Sequence, residues 1–347
     1  MSYARDQVLD IADTLLERNP TSVSISTSIF NDISETIHHT PMIRLQNFSS
    51  EPYVNVYAKC EMFLPSLSTK DRIVIGIIRE LERSGELKKG GTIIEASSGN
   101  TGCAVAMLAA CFGYRAIISV PAKTSIEKIS MMKAYGATVI ISPPDASKSS
   151  PEHYVNKAKL IKDETPNSVL LNQYENPVNP NIHYQHTAAE IWGALNGNID
   201  CVIVCSSSGG TISGIGRYLK EKKSTIEIVM PDPVGSIYHD YFNNKREDQS
   251  CYRPYKIEGI GKDYICGNID FSVIDNVVQV TDEDAFNSAK YLAREEGILA
   301  GGSSGAALYV ANVYAKKFQE KKQKANIVVV LPDSGFKYLS TFYNANE

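Results

Sequence analysis

The sequence predicts an α/β protein with two doubly wound, mostly parallel sheets and a cleft between them. Three observations carry this. Short β-branched apolar runs alternate with longer helix-period runs, the pattern of parallel sheets covered on both faces. The alternation runs as one series and resumes as a second after Pro151. Two glycine-rich turns directly follow strands and open helices, where ligands collect in open α/β folds.

In chain order, an apolar helical run begins just after "STKDR". The strand "GTIIEAS" is followed by a glycine turn and the helix "TGCAVAMLAACFGY". Then come the strand "RAIISV", the helix "SIEKISMMKAYG" and the strand "ATVIISP". The second series has a helix near Glu152–Asp163, the strand "SVLLNQ", the helix "HTAAEIWGAL" and the strand "DCVIVCS". The helix "GTISGIGRYLKE" and the strand "IEIVMP" follow, then an irregular stretch over Val234–Asp270. The strand "VVQVT", the helices "DEDAFNSAKYLAREEG" and "SSGAALYVANVYAKKF" and the strand "NIVVVLP" complete the order.

Length and composition narrow the class. With 347 residues, 43% hydrophobic and 21% charged, the chain reads as soluble and globular, large enough for two α/β domains. A formal net charge of −4 with dispersed Lys and Arg offers no basic field for nucleic acid. "MSYARDQVLDIADTLLERNP" carries acids among its apolar positions, which argues against a secretory signal, and it reads as one amphipathic helix. No apolar window approaches the ~20 residues of a membrane span, so a cytoplasmic protein without membrane partners is expected. Seven scattered cysteines without a CxxC read as free, mostly buried thiols, and no metal site is expected. His183 and His186 read as ordinary helix-start residues.

The chemistry gathers at glycine turns. "SSGNTG" (97–102), "SSSGGT" (206–211) and "GGSSG" (301–305) each lead into a helix. Backbone N–H groups at a helix start suit a phosphate. "SSSGGT" lacks both the Walker lysine and the GxGxxG spacing, so a nucleotide is not the first expectation. Lys70, a single amine at the start of an apolar helix, completes an inventory for pyridoxal 5'-phosphate: an amine for the aldehyde and a cradle for the phosphate.

"STKDR", "SSGNTG", "GGTISG", "EGILAGGSSGAAL" and "LPDSGFKYLSTF" resemble, in order and spacing, the pyridoxal-phosphate-dependent β-replacement family of cysteine synthase and cystathionine β-synthase. "PNSVLLNQYENPVNPNIHY", "DPVGSIY" and "IEGIGKDYI" resemble the cystathionine β-synthase catalytic core in particular. The resemblance implies the tryptophan synthase β-like fold, type II, with the cofactor between the domains. It also implies an extension over 1–38, a crossover segment over 39–58 packing on the C-terminal domain, and α/β domains over 59–176 and 177–347. Lys70 matches the Schiff-base lysine and catalytic base. Asn100 matches the partner of the cofactor's ring hydroxyl. Ser97, Ser98 and Thr101, with Gln173, match the loop for the substrate α-carboxylate. Ser207, Ser208, Gly209, Gly210 and Thr211 match the phosphate cradle. Ser303 matches the hydroxyl partner of the pyridine nitrogen. A neutral alcohol there leaves the ring a shallower electron sink than an acid does, which favours β-elimination or β-replacement over aminotransfer. The implied function is β-replacement on serine or O-activated serine through an aminoacrylate, in sulfur amino acid and cysteine biosynthesis, by a homodimer. The alternatives are a synthase joining O-activated serine to an amine or acidic amino acid, and a non-catalytic sensor paralogue.

Some residues depart from the family pattern. "LPSLSTK" replaces an Asn-and-glycine approach to the lysine, and Ser207-Ser208 replaces Gly-Thr. Serine hydroxyls still donate to phosphate. Lys262 stands where cystathionine β-synthases commonly have tyrosine. It is either a solvated loop lysine or a receiver for an acidic group of the second substrate, with Glu258 a candidate for that substrate's ammonium. The first 38 residues contain no cysteine, so a cysteine–histidine haem module is not expected.

Overall fold

The computed structural model describes residues 29–48, 53–147 and 149–344. The N-terminal amphipathic helix read from the sequence lies outside the described residues. Asp32–Glu347 forms one compact unit, built on two sheets.

The smaller sheet has the order β5-β4-β3-β6 and is parallel throughout. Its strands are β3 (Thr92–Ala96), β4 (Arg115–Pro121), β5 (Thr138–Ser142) and β6 (Ser168–Leu170). Helix α1 (Lys70–Ser84) places Ile73, Val74, Ile77 and Ile78 on one face, the i, i+1, i+4, i+5 pattern of an amphipathic helix, and all four are buried. It stops at Gly85, whose φ of 78° is the left-handed cap that glycine accepts without strain. Helix α2 (Asn100–Phe112) is buried from Thr101 to Ala109. It is rich in alanine because it is packed on several sides. A methyl at Gly102 would lie 2.8 Å from both Ile118 and Met132. Helices α3 (Ile126–Ala134) and α4 (Tyr154–Glu164) complete this half.

The larger sheet has the order β1-β2-β10-β7-β8-β9, with only the edge strand β1 antiparallel. It combines β1 (Met42–Arg44) and β2 (Val54–Cys60) with β7 (Cys201–Ile203), β8 (Glu227–Pro233), β9 (Asn276–Val280) and β10 (Ala325–Leu331). In the central β10, every residue but Asn326 is buried, as a parallel strand covered on both faces demands. Helices α5 (Val178–Ile182), α6 (Ala188–Ala194), α7 (Gly210–Lys222), α8 (Tyr238–Asn244), α9 (Asp282–Glu295) and α10 (Gly302–Glu320) accompany it.

Two departures from the sequence reading have physical causes. The helix expected from His186 begins at Val178, because Pro180 sits in its first turn, where a missing N–H costs nothing. Between α5 and α6 it widens into a π turn, His183–Thr187. Strand β2 was not anticipated. Its C-terminal end carries charge into the interior, where Lys59 bonds Glu190 (2.5 Å) and Arg72 bonds Glu61 (2.7 Å) and Glu190 (2.7 Å). Buried ions persist only when paired in this way, and the cluster joins β2, α1 and α6 two residues from Lys70. Among the described residues, no helix is long and apolar enough to cross a membrane.

Candidate active site

Lys70 is the first residue of α1. The turn before it is stitched to the end of β10. Thr69 N–H donates to Pro332 O (2.8 Å), and Ser334 N–H donates to Leu67 O (3.1 Å). Leu67 holds φ 63°, a left-handed conformation a branched side chain adopts only under constraint. Asp71 accepts from Ser66 N–H (2.7 Å) and from the Ser66 hydroxyl. Thus a helix of the smaller half begins at a point fixed by the larger sheet. Among the described residues, the Lys70 amine has no ion-pair or hydrogen-bond partner. Burial lowers its pKa to about 8, Lys337 adds to the lowering, and Asp333 opposes it.

Two small cavities meet at Lys70. One is lined by Ser97, Ser98, Asn100, Thr101, Gln173 and Ser303 as well as Lys70. The other is lined by Lys70, Ser206, Ser207, Ser208, Gly209 and Thr211. The structure therefore brings the expected cofactor and carboxylate residues to one place, Gly210 directly behind them.

On the first side, Ser97 Oγ accepts from the N–H groups of Gly99 and Gly102, each at 3.0 Å, and so shapes its own loop. Gly99 has φ 138°, and a Cβ there would lie 2.3 Å from the Lys128 side chain. Asn100 Nδ2 donates to Asp333 (2.7 Å), while Asn100 Oδ1 accepts from Lys337 Nζ (2.9 Å). An ammonium only donates and a carboxylate only accepts, so these partners fix which end of the amide is which. Thr101 donates to Gln173 Oε1 (2.7 Å), and Gln173 Nε2 donates to Glu95 (2.9 Å). Burial pushes the Glu95 carboxyl up to about 8. Ser303 is buried in the first turn of α10, and its carbonyl accepts from the Cys205 thiol (3.0 Å).

On the second side, a Cβ at Gly209 would lie 2.4 Å from Ile269 N, and one at Gly210 would lie 1.9 Å from Asn179 Oδ1. Asn179 donates to Ser208 Oγ (3.1 Å), and the Tyr238 hydroxyl donates to Ser207 O (2.6 Å). Thr211 Oγ1 lies 3.1 Å from His183 Nε2.

A wider cleft of about 700 Å3 opens from Ser98 and Ser207. Glu258 and Lys262 both line it. Glu258 is engaged by Lys128 Nζ (2.6 Å), which also donates to the Tyr338 hydroxyl (3.1 Å). The Lys262 ammonium lies over the rings of Tyr174 (4.1 Å) and Tyr264 (4.9 Å).

Asp333, Lys337, Lys128, Asn179 and His183 were not singled out as site residues by the sequence reading. Asp333 carried a usable signal, an acid at the end of a buried strand. The lysines did not, since "SIEK" and "GFKY" look like solvated segments, yet Lys128 and Lys337 are buried.

Pyridoxal phosphate fits these residues. Gly209 and Gly210 let the turn pack against Ile269 and Asn179, where a side chain at either position would collide. The first N–H groups of α7 lie ahead of its i→i−4 ladder, which begins with Ser213 N–H on Gly209 O, and such groups at a helix start suit a phosphate. Among the described residues, the buried hydroxyls of Thr69 and Ser206 have no hydrogen-bond partner. An amine, an amide donor and an alcohol sit on the opposite side, at Lys70, Asn100 and Ser303.

A two-sheet α/β enzyme with a half-buried lysine facing a glycine-rich helix start is the class this fold and site define. Residues 33–333 match the model of the pyridoxal-phosphate dependent enzyme family, and the chain belongs to that family. It is 45% identical over 318 residues to the cystathionine beta-synthase of Apis mellifera, covering 91% of this chain and 62% of that one. It is 41% identical to the O-acetylserine dependent cystathionine beta-synthase of Bacillus subtilis (strain 168), covering 90% and 97%. The crystal structure of O-ureido-L-serine synthase superimposes with a TM-score of 0.81 at 31% identity, covering 92% and 97%. The chain thus spans less than two thirds of the length of the first of these relatives.

Proposed function

We propose that this protein catalyses β-replacement on serine or an O-activated serine, with a thiol as the nucleophile, in the manner of cystathionine β-synthase or cysteine synthase. The supporting observation is the Lys70 amine, shielded and lowered to about 8, on the same cavity as the neutral Ser303 alcohol.

Pyridoxal phosphate supplies an electron-withdrawing ring that accepts the charge left when a substrate Cα proton departs. Lys70 binds its aldehyde, and the Ser207–Thr211 turn binds its phosphate. Ser98, Thr101 and the amides of their loop receive the substrate carboxylate, while Gln173 orients Thr101. The Lys70 amine, when free, would be the base that takes the Cα proton. A pKa near 8 suits that exchange. The β-substituent would leave with its bonding pair and take up the proton that the thiol gives up, the thiol sulfur would bond to the same carbon, and Lys70 would return the proton to Cα. Ser303, a neutral alcohol, would not keep the ring nitrogen protonated as an acid would, which would favour loss of the β-substituent over aminotransfer.

One observation favours a second acceptor class. The Lys262 ammonium, held over two tyrosine rings in the cleft, is a receiver for a carboxylate on the nucleophile. An acidic amino acid or an acidic thiol fits that reading. By resemblance, the enzyme is a cytoplasmic homodimer.

The test is a matrix of donors (serine, O-acetylserine, O-phosphoserine) against sulfide, homocysteine and amino acids, with products identified by mass. A β-substituted alanine is expected from at least one pair. Only keto acid, or no turnover with any donor, overturns the proposal.

A further inference from the structure

His183 has no part in the chemistry above, yet it is fully buried behind the phosphate cradle. It opens the π turn, a local widening that departs from the regular helix on both sides. Its Nδ1 lies 2.9 Å from Thr187 Oγ1, and its Nε2 lies 3.1 Å from Thr211 Oγ1. The ring has little room to turn. A Cβ on Gly214 of α7 would lie 2.2 Å from Pro180 O and 2.8 Å from His183 Cβ. Glycine thus lets α7 press directly on the π-turn segment.

We propose that His183 is a positioning residue that aims the Thr211 hydroxyl proton at the cofactor phosphate through a one-way chain: Thr187 O–H to Nδ1, Nε2–H to Thr211 Oγ1, Thr211 O–H to a phosphate oxygen. This rests on the reading that Ser207–Thr211 holds the phosphate. Each link forces the next. Phosphate oxygens only accept, so Thr211 must spend its single proton on them. Its oxygen is then free to accept, and Nε2 must carry the ring proton. Burial keeps the imidazole neutral, with Lys70 and Arg72 pushing the same way, so Nδ1 is left as an acceptor and Thr187 must donate. The opposite tautomer would turn the Thr211 lone pairs toward the phosphate. Asn179 performs the same office for Ser208, since its Nδ2 donates to that hydroxyl's oxygen and leaves the proton for the ligand.

The experiment loads the full chain with pyridoxal phosphate or with pyridoxal and follows dissociation on dilution, for wild type, His183→Leu, Thr187→Val, Thr211→Val and the His183→Leu/Thr211→Val double variant. His183→Leu and Thr211→Val are expected to weaken pyridoxal phosphate by about tenfold to a hundredfold, the loss of one hydrogen bond to a charged group, and to leave pyridoxal unchanged. Thr187→Val does the same less strongly, and the double variant is no weaker than Thr211→Val. In the loaded wild type, 15N NMR of His183 shows the proton on Nε2. Equal weakening of both cofactors, additive losses, or a proton on Nδ1 overturns the proposal. The NMR arm decides even where a variant folds poorly. If wild type does not prefer pyridoxal phosphate over pyridoxal, the cradle reading fails. If that preference survives the removal of His183, only this inference fails.

Discussion

At the Asn100 end of the cavity, two full charges from one segment meet a single amide: Asp333 takes its N–H and Lys337 takes its oxygen. At the Thr211 end, the ligand-facing turn carries no charged side chain, only serines, glycines and a threonine, with an asparagine and a neutral histidine behind them. The difference follows from the cofactor. A phosphate brings its own charge and asks for oriented N–H and O–H donors. On the proposed reading the ring oxygen meets the Asn100 amide, which Asp333 and Lys337 hold in place. The Asn100 end is thus fixed by charged partners, and the Thr211 end by neutral ones.

The sharpest way to break this contrast is to compare pyridoxal phosphate with pyridoxal, since ring-end damage should affect both and phosphate-end damage only the first. The largest effect is expected of Lys70→Ala, which belongs to both ends. Turnover falls by at least about 10^3-fold, and borohydride no longer fixes a pyridoxyl group on that peptide by mass spectrometry. Next is Gly210→Ala, where the new methyl meets Asn179. Retention of pyridoxal phosphate drops about a hundredfold, the effect of losing hydrogen bonds to a charged group, while pyridoxal is held as before. Asp333→Asn follows. It removes the carboxylate that raises the Lys70 pKa, so the midpoint of cofactor loading against pH moves below about 8. Stopped-flow absorbance checks the shift, and an unchanged midpoint would remove Asp333 from the ring end.

A smaller effect tests the charge cluster behind α1. Burial alone would raise the Glu190 carboxyl, but Arg72 and Lys59 outweigh it and lower its pKa to about 2. A depressed carboxyl stabilises the fold above its unfolded pKa of about 4.3, and that contribution disappears as pH falls toward 2. Chemical denaturation from pH 6 to 3 should show stability falling with pH, and Glu190→Gln should flatten the fall. Least of all, Lys262→Tyr should raise KM for acidic nucleophiles about tenfold or less and leave sulfide untouched. Steady-state kinetics with both acceptors decides this.

The sequence made some of this legible for reasons now visible. Gly209 and Gly210 were legible because a side chain at either position meets Ile269 or Asn179, and Lys70 because an amine at a helix start stands out among glycine-rich turns. Most strands were readable because parallel strands buried on both faces are continuous apolar runs. Lys337 was not, since its partner Asn100 lies 237 positions away, and nothing local marks a buried polar group as paired. Strand β2 was missed for the same reason: Lys59 reads as a surface residue until Glu190, 131 positions away, is beside it.

Strand β10 lies between β2 and β7, although it is made after both. During synthesis the larger sheet therefore has an open slot until residue 331 has left the ribosome, whereas the smaller sheet is complete by Leu170. The groups that fix the ring end, Asp333 and Lys337, emerge later still. The Asn100 amide can therefore be held as it is here only once residue 337 has been made.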